Sequence, residues 1–132
     1  MNNAQTIIDA LCEQALHPAL AVAKSCRDAG KDAVGCFPIY TPEELVYAAG
    51  FLPVGMWGGI TEIKLAHRYL QRFCCSIMRS NIEYGMRGTY NRLRAVLLPT
   101  LCDTLKCICE NWKVAVSQLP VIPVVYPQNR SL

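Results

Sequence analysis

The chain has 132 residues, with 13 Lys and Arg against 10 Asp and Glu for a formal net charge of +3. That length suits one domain burying roughly two-thirds of its unfolded surface, and so small a positive excess gives no argument for nucleic acid. Apolar residues reach 52% and charged residues only 17%, more apolar surface than one domain hides, so a partner domain or subunit is expected.

In chain order, Ile7, Ile8, Leu11, Cys12 and Ala15 recur at a helical period. Pro18 breaks that helix and opens the next, which runs to about Asp28 and stops at Gly30. Ala33 to Phe37 reads as a short buried strand. Thr41-Pro42-Glu43-Glu44 then predicts a helix start, with Thr41 as cap, Pro42 in the first turn and Glu44 completing a capping box. Leu52 to Trp57 reads as a second strand, ending in the Gly58-Gly59 loop. Ile63, Ala66, Leu70 and Phe73 predict a helix from about Thr61, and a further one runs from Cys75 to about Met86, closed by Gly88. Ala95 to Pro99 is a third strand. A helix over 102–116 carries Leu105, Ile108, Cys109, Trp112 and Val116 on one stripe. Val121 to Tyr126 is a fourth strand, at an edge because Pro123 lacks a donor.

This alternation predicts an α/β fold, an open parallel sheet of about four strands with flanking helices and right-handed crossovers, Rossmann- or flavodoxin-like. Residues 1–30 form N-terminal helices and 31–132 the core of a single domain. The chain stops six residues after Tyr126 without a helix to cover the last strand, which reads as an interruption, half of a two-domain subunit. No run approaches the ~18–20 apolar residues of a bilayer span, and Met1-Asn2-Asn3-Ala4-Gln5 lacks a secretory pattern. A cytoplasmic location with neither membrane nor nucleic-acid partners is the expectation. Eight cysteines in that reducing compartment do not make a disulfide framework; Cys12 and Cys26 read as small buried hydrophobes.

Cys102 follows the third strand at a helix start, where open α/β sheets bind ligands and where unpaired N–H groups favour an anionic sulfur. Cys75 has similar surroundings. Cys74 points elsewhere than its neighbour. Cys107 lies about 140° around the helix from Cys102, and Cys109 about 10 Å further along it. Local spacing therefore leaves Cys75 and Cys102 as two metal ligands in want of a third. Zinc pairs of the C-x₂-C type are absent, so a zinc-binding structural domain is a distant reading. Between Lys64 and Arg94 seven basic residues face one acid, Glu83, read as a solvated helix face or as attraction for an anionic ligand or acidic partner. His17 and His67 are isolated and not assigned to metal. Tyr40 and Trp57 are read as buried aromatics or as lining a cleft.

Gly35-Cys36-Phe37-Pro38-Ile39-Tyr40-Thr41-Pro42-Glu43-Glu44-Leu45, then Ala48-Ala49-Gly50-Phe51-Leu52-Pro53-Val54, resembles the 2-hydroxyacyl-CoA dehydratase and benzoyl-CoA reductase family. Cys75-Ser76-Ile77-Met78-Arg79-Ser80, Pro99-Thr100-Leu101-Cys102-Asp103 and Tyr126-Pro127-Gln128-Asn129-Arg130 agree with it in order. The resemblance implies a subunit of a heterodimer holding an iron–sulfur cluster, usually [4Fe–4S], through three cysteines, with the fourth iron open to the thioester of an acyl-CoA substrate. An ATP-dependent activator protein injects one electron, and a ketyl radical lets an unactivated hydroxyl leave; in the reductase branch the electrons enter an aromatic ring. Carried over by motif, Cys75 and Cys102 are two cluster ligands, and the third belongs to a C-terminal half not present in this chain. Glu44 matches an acidic position near the substrate, where it can handle a proton. Cys36 is assigned to the core or near the cluster, Asp103 to the helix dipole or support of the cluster, and Arg79 to pairing with cluster or phosphate charge. The expected function is the N-terminal domain of such a dehydratase, incomplete alone; the other readings are a non-catalytic module for assembly or electron transfer, or a benzoyl-CoA reductase-type subunit.

Overall fold

A computed structural model describes residues 3–127. Helices α1 (Asn3–Leu16) and α2 (Pro18–Ala29) precede β1 (Ala33–Cys36), α3 (Glu43–Ala48), β2 (Leu52–Gly55), α4 (Ser76–Met86), β3 (Leu93–Pro99), α5 (Asp103–Ala115) and β4 (Val121–Val124). The four strands form one parallel sheet in the order β2-β1-β3-β4. This is the expected α/β architecture, with β4 at an edge.

Right-handed crossovers fix the layers. The chain steps one way from β1 to β2 through α3 and the other way through α4 and α5, which puts α3 on one face and the α4–α5 pair on the other. The packing agrees. Ile82 of α4, Ile108, Cys109 and Trp112 of α5, and Val96 and Leu98 of β3 share one large core with Phe37, Met56 and Tyr90. Across the sheet, α3 contributes Val46 to a small cluster with Val34 and Cys36. Trp112 is fully buried, meets Phe37 edge-on at 5.5 Å between ring centroids, and donates its indole N–H to the Leu119 carbonyl at 3.0 Å. An apolar stripe on α5 therefore found its core, as its periodicity required.

Three expectations fail, each for a physical reason. The helix read from Thr61 is absent apart from one 3₁₀ turn at Ala66–Arg68. The carboxylate of Glu83 takes the backbone N–H groups of Lys64, Leu65 and Ala66 at 3.0, 2.8 and 2.9 Å, so a side chain orders this segment. Ala66 and Leu70 are buried as their spacing foretold, but Phe73 is 87% exposed. The capping box at Thr41 does not form. The Thr41 hydroxyl donates to the Phe37 carbonyl at 2.5 Å and closes the preceding loop, while α3 begins at Glu43 without a side-chain cap. Cys12 is exposed because α1 packs chiefly along α2 and buries none of its residues; Cys26 is partly buried against the main core. No helix among the described residues is long and apolar enough to cross a membrane.

Candidate functional site

The sheet order reverses between β1 and β3, because β1 connects toward β2 and β3 toward β4. The crevice beyond the carboxyl ends of those two strands is where such sheets receive ligands. Leu101 and Cys102 follow β3 directly into this crevice, and Cys102 is the N-cap of α5. Its exposed sulfur accepts the Leu105 amide at 3.5 Å. Cys75 is the N-cap of α4, exposed and with no side-chain capping bond. The far end of α4 leads through residues 87–92 to the start of β3, so its first turn lies at the carboxyl edge, about 16 Å from its last at 1.5 Å per residue. Since α4 and α5 pack side by side, the two exposed thiols stand at the same ends of adjacent helices. Cys74 is buried in the main core, so the two neighbouring cysteines part as successive side chains must.

The long connection 56–75 that delivers Cys75 is held by one side of α4. Asn81, wholly buried, donates to the Met56 carbonyl at 2.7 Å and accepts the Tyr90 hydroxyl at 2.6 Å. The Tyr84 hydroxyl donates to the Ile60 carbonyl at 3.2 Å, and the Gly59 amide donates to Ser80 at 3.4 Å. Gly58 has a positive φ of 74°, and a Cβ there would collide with the Ser80 hydroxyl. Glu83, 0% exposed, completes the hold; Arg87 pairs with it at 2.7 Å and also donates to the Glu62 carbonyl at 2.9 Å. Burial alone would raise the Glu83 carboxyl, but hydrogen bonds from Ala66, Lys64, Arg87 and Leu65 outweigh it and hold the group below the usual carboxylate range. The sequence pattern makes Glu83 a lone acid on a solvated basic face, and the structure corrects this. The signal that could have found its role is its spacing of four from Arg87. The basic stretch is likewise no single face, since Lys64 pairs with Glu62 at 2.8 Å and Arg94 with Asp32 at 3.0 Å.

Glu44 is exposed and lines a cleft of about 480 Å³ with Tyr40, Thr41, Pro42, Leu101 and Tyr126. The Tyr126 hydroxyl donates to the Tyr40 carbonyl across it. The structure thus brings Glu44 and the segment leading to Cys102 into one cleft. Cys75 is not among its lining residues. Tyr40 and Trp57 are exposed, the first in this cleft. Cys36 is in the core behind α3; burial, and then the Glu43 charge, push its thiol up to about 11 despite a backbone contact from Val54. Asp103 opens α5 and pairs with Lys106 at 3.4 Å. His17 lies 3.4 Å from Glu13, and His67 is exposed. Residues 128–130 of the last motif fall outside the described residues.

The chemistry of this donor set fits thiolate-ligated iron. Cys102 already accepts an amide hydrogen as a ligand sulfur does, and the Arg79 Nε, one turn into α4 from Cys75, is buried without a partner. Among the described residues no three His, Cys, Asp or Glu side chains converge as a metal site, so a metal held by these thiols would need a further ligand from outside them.

Fold and site together define a parallel α/β domain with two exposed thiols at the carboxyl edge of its sheet. Residues 38–132 match the family described as 2-hydroxyglutaryl-CoA dehydratase, D-component, and the chain belongs to that family. It is 39% identical over 132 residues to the (R)-phenyllactyl-CoA dehydratase beta subunit of Clostridium sporogenes and 42% identical over 133 to the lactoyl-CoA dehydratase beta subunit of Anaerotignum propionicum. In both cases the match takes in the whole of this chain and 35% of the relative. A benzoyl-CoA reductase subunit of Thauera aromatica is 31% identical over 104 residues, covering 77% of this chain and 27% of that protein. The chain therefore spans about a third of the length of the relatives it matches.

Proposed function

We propose that this chain is part of a cytoplasmic 2-hydroxyacyl-CoA dehydratase subunit and contributes Cys75 and Cys102 to an iron–sulfur cluster of the [4Fe–4S] kind. The third cysteine comes from polypeptide outside this chain. The observation that carries the reading is the pair of exposed thiols at the N-cap positions of two adjacent helices at the carboxyl edge of the sheet, in a member of this family. The two dehydratase relatives are 39% and 42% identical, against 31% for the reductase relative, which favours dehydration over ring reduction.

When bound, such a cluster supplies one low-potential electron to the thioester carbonyl of a 2-hydroxyacyl-CoA, so that its unactivated hydroxyl can leave. The protein's own residues do the rest. Cys75 and Cys102 hold the metal, and the helix starts beneath them favour negative charge there. Glu44 exchanges a proton with the substrate in the cleft beside Leu101. Tyr40 and Tyr126 wall that cleft. A second dehydratase subunit and an ATP-dependent activator protein are the partners this reading requires.

Anaerobic reconstitution with iron and sulfide, read by visible and EPR spectra, tests it. Stable incorporation is expected only when the remainder of the subunit is supplied, and is expected to fall on Cys75→Ser or Cys102→Ser. Unchanged iron content in both variants of the completed subunit would remove the ligand assignment.

A further inference from the structure

The face of the sheet that carries α3 is covered over β1 and β2 and open over β3 and β4. A groove of about 640 Å³ runs there, walled by Leu45 and Val46 of α3 and floored by Ala95, Leu97 and Ile122, with Val125 at its end. Leu45, Ile122 and Val125 are 67%, 50% and 75% exposed. Among the described residues that line it, Arg94 is the one ionic side chain, and it is engaged with Asp32 at 3.0 Å. Parallel sheets are apolar on both faces because both faces are covered. Here the residues of β3 and β4 that face away from α5 are apolar, Arg94 apart, like those that face it, so the sequence is written for a covering layer.

We propose that this groove seats an amphipathic helix from the part of the family's subunit that this chain does not span. Two observations select that occupant. The opening spans two strands about 4.8 Å apart, which is the footprint of one helix about 10 Å across. Nearly two-thirds of each dehydratase relative lies outside the match to this chain, which leaves ample polypeptide in the same subunit to supply that helix. The helix lies beside α3 and completes the same layer, with its apolar stripe on Leu97 and Ile122 and its polar side outward. This inference rests on the family relation and not on iron, and it places an interface on the sheet's face, apart from the thiols at its edge.

The test mixes the 132-residue chain, without iron, with the portion of the Clostridium sporogenes relative outside the match, and measures association by sedimentation and calorimetry. Association is expected, and Leu45→Glu, Ile122→Glu and Val125→Glu, all at exposed positions, are expected to weaken it about tenfold or more, while Leu11→Glu on α1 leaves it unchanged. Circular dichroism and melting of the added portion and of each variant confirm that every component is folded when association is read. No association, or association indifferent to all three groove variants, overturns the proposal. So does a concentration-dependent homodimer that protects residues 122–125 from hydrogen exchange, since a second copy would then fill the groove. Cys75→Ser and Cys102→Ser are expected to associate normally, so failure of the ligand reading leaves this one standing, and the reverse.

Discussion

The two faces of one sheet are built to different standards. On the α4–α5 side, Trp112, Ile108, Ile82, Val96 and Leu98 are sealed in a core that also takes in Phe37, Met56 and Tyr90. On the α3 side, three buried residues, Val34, Cys36 and Val46, make up the cluster, and apolar side chains beyond it stand open. The same strands serve both faces, so the difference lies in which helices are present. The larger share of the buried core therefore lies on one face, and the other face carries the smaller cluster.

Breaking that comparison begins with the side chain that most fills the packed face. Trp112→Ala is expected to cost about 3–5 kcal/mol, whereas Val46→Ala on the thin face is expected to cost about 1–2 kcal/mol; equal shifts in urea midpoint would erase the distinction between faces. Glu83→Gln comes next in size. It leaves the Arg87 guanidinium without its charge partner and weakens three backbone hydrogen bonds, at about 3 kcal/mol. Its signature is selective, with faster amide exchange at 64–66 than in β3.

The pH dependence follows from the same carboxylate. Because its folded pKa is depressed, its contribution is present above the unfolded carboxyl value and is lost as pH falls through the folded one. Glu83→Gln is expected to flatten the acid limb of a stability–pH curve. Cys36 acts at the other end. Its thiol is raised to about 11 when folded, so the unfolded chain ionises first; stability is full below the unfolded thiol value and is lost as pH rises toward 11. Cys36→Ala is expected to reduce that alkaline slope, with the raised Tyr90 and Cys109 supplying the remainder, measured by denaturant titration across the range.

The smallest perturbation sharpens the comparison without altering stability. In the native chain iodoacetamide is expected to modify Cys12, Cys75, Cys102 and Cys107, which are exposed, and to reach Cys36, Cys74 and Cys109 only on unfolding. Mass mapping that finds Cys75 or Cys102 protected in the isolated chain would contradict the open thiols at the carboxyl edge.

Local periodicity and turn chemistry determined the order of strands and helices, the parallel sheet, the apolar stripe of α5 and the helix starts at Cys75 and Cys102. These follow from residues a few positions apart, which is the range over which a helix or strand makes its own bonds. Only the tertiary structure decided what happens between residues 56 and 75. Three amides that local pattern assigns to a helix find a carboxylate seventeen to nineteen positions away, and such a partner is invisible until the chain has folded. The same holds for Glu44, whose cleft is made by segments as distant as Leu101 and Tyr126, and for the groove, which exists because one face of a sheet received fewer helices than the other.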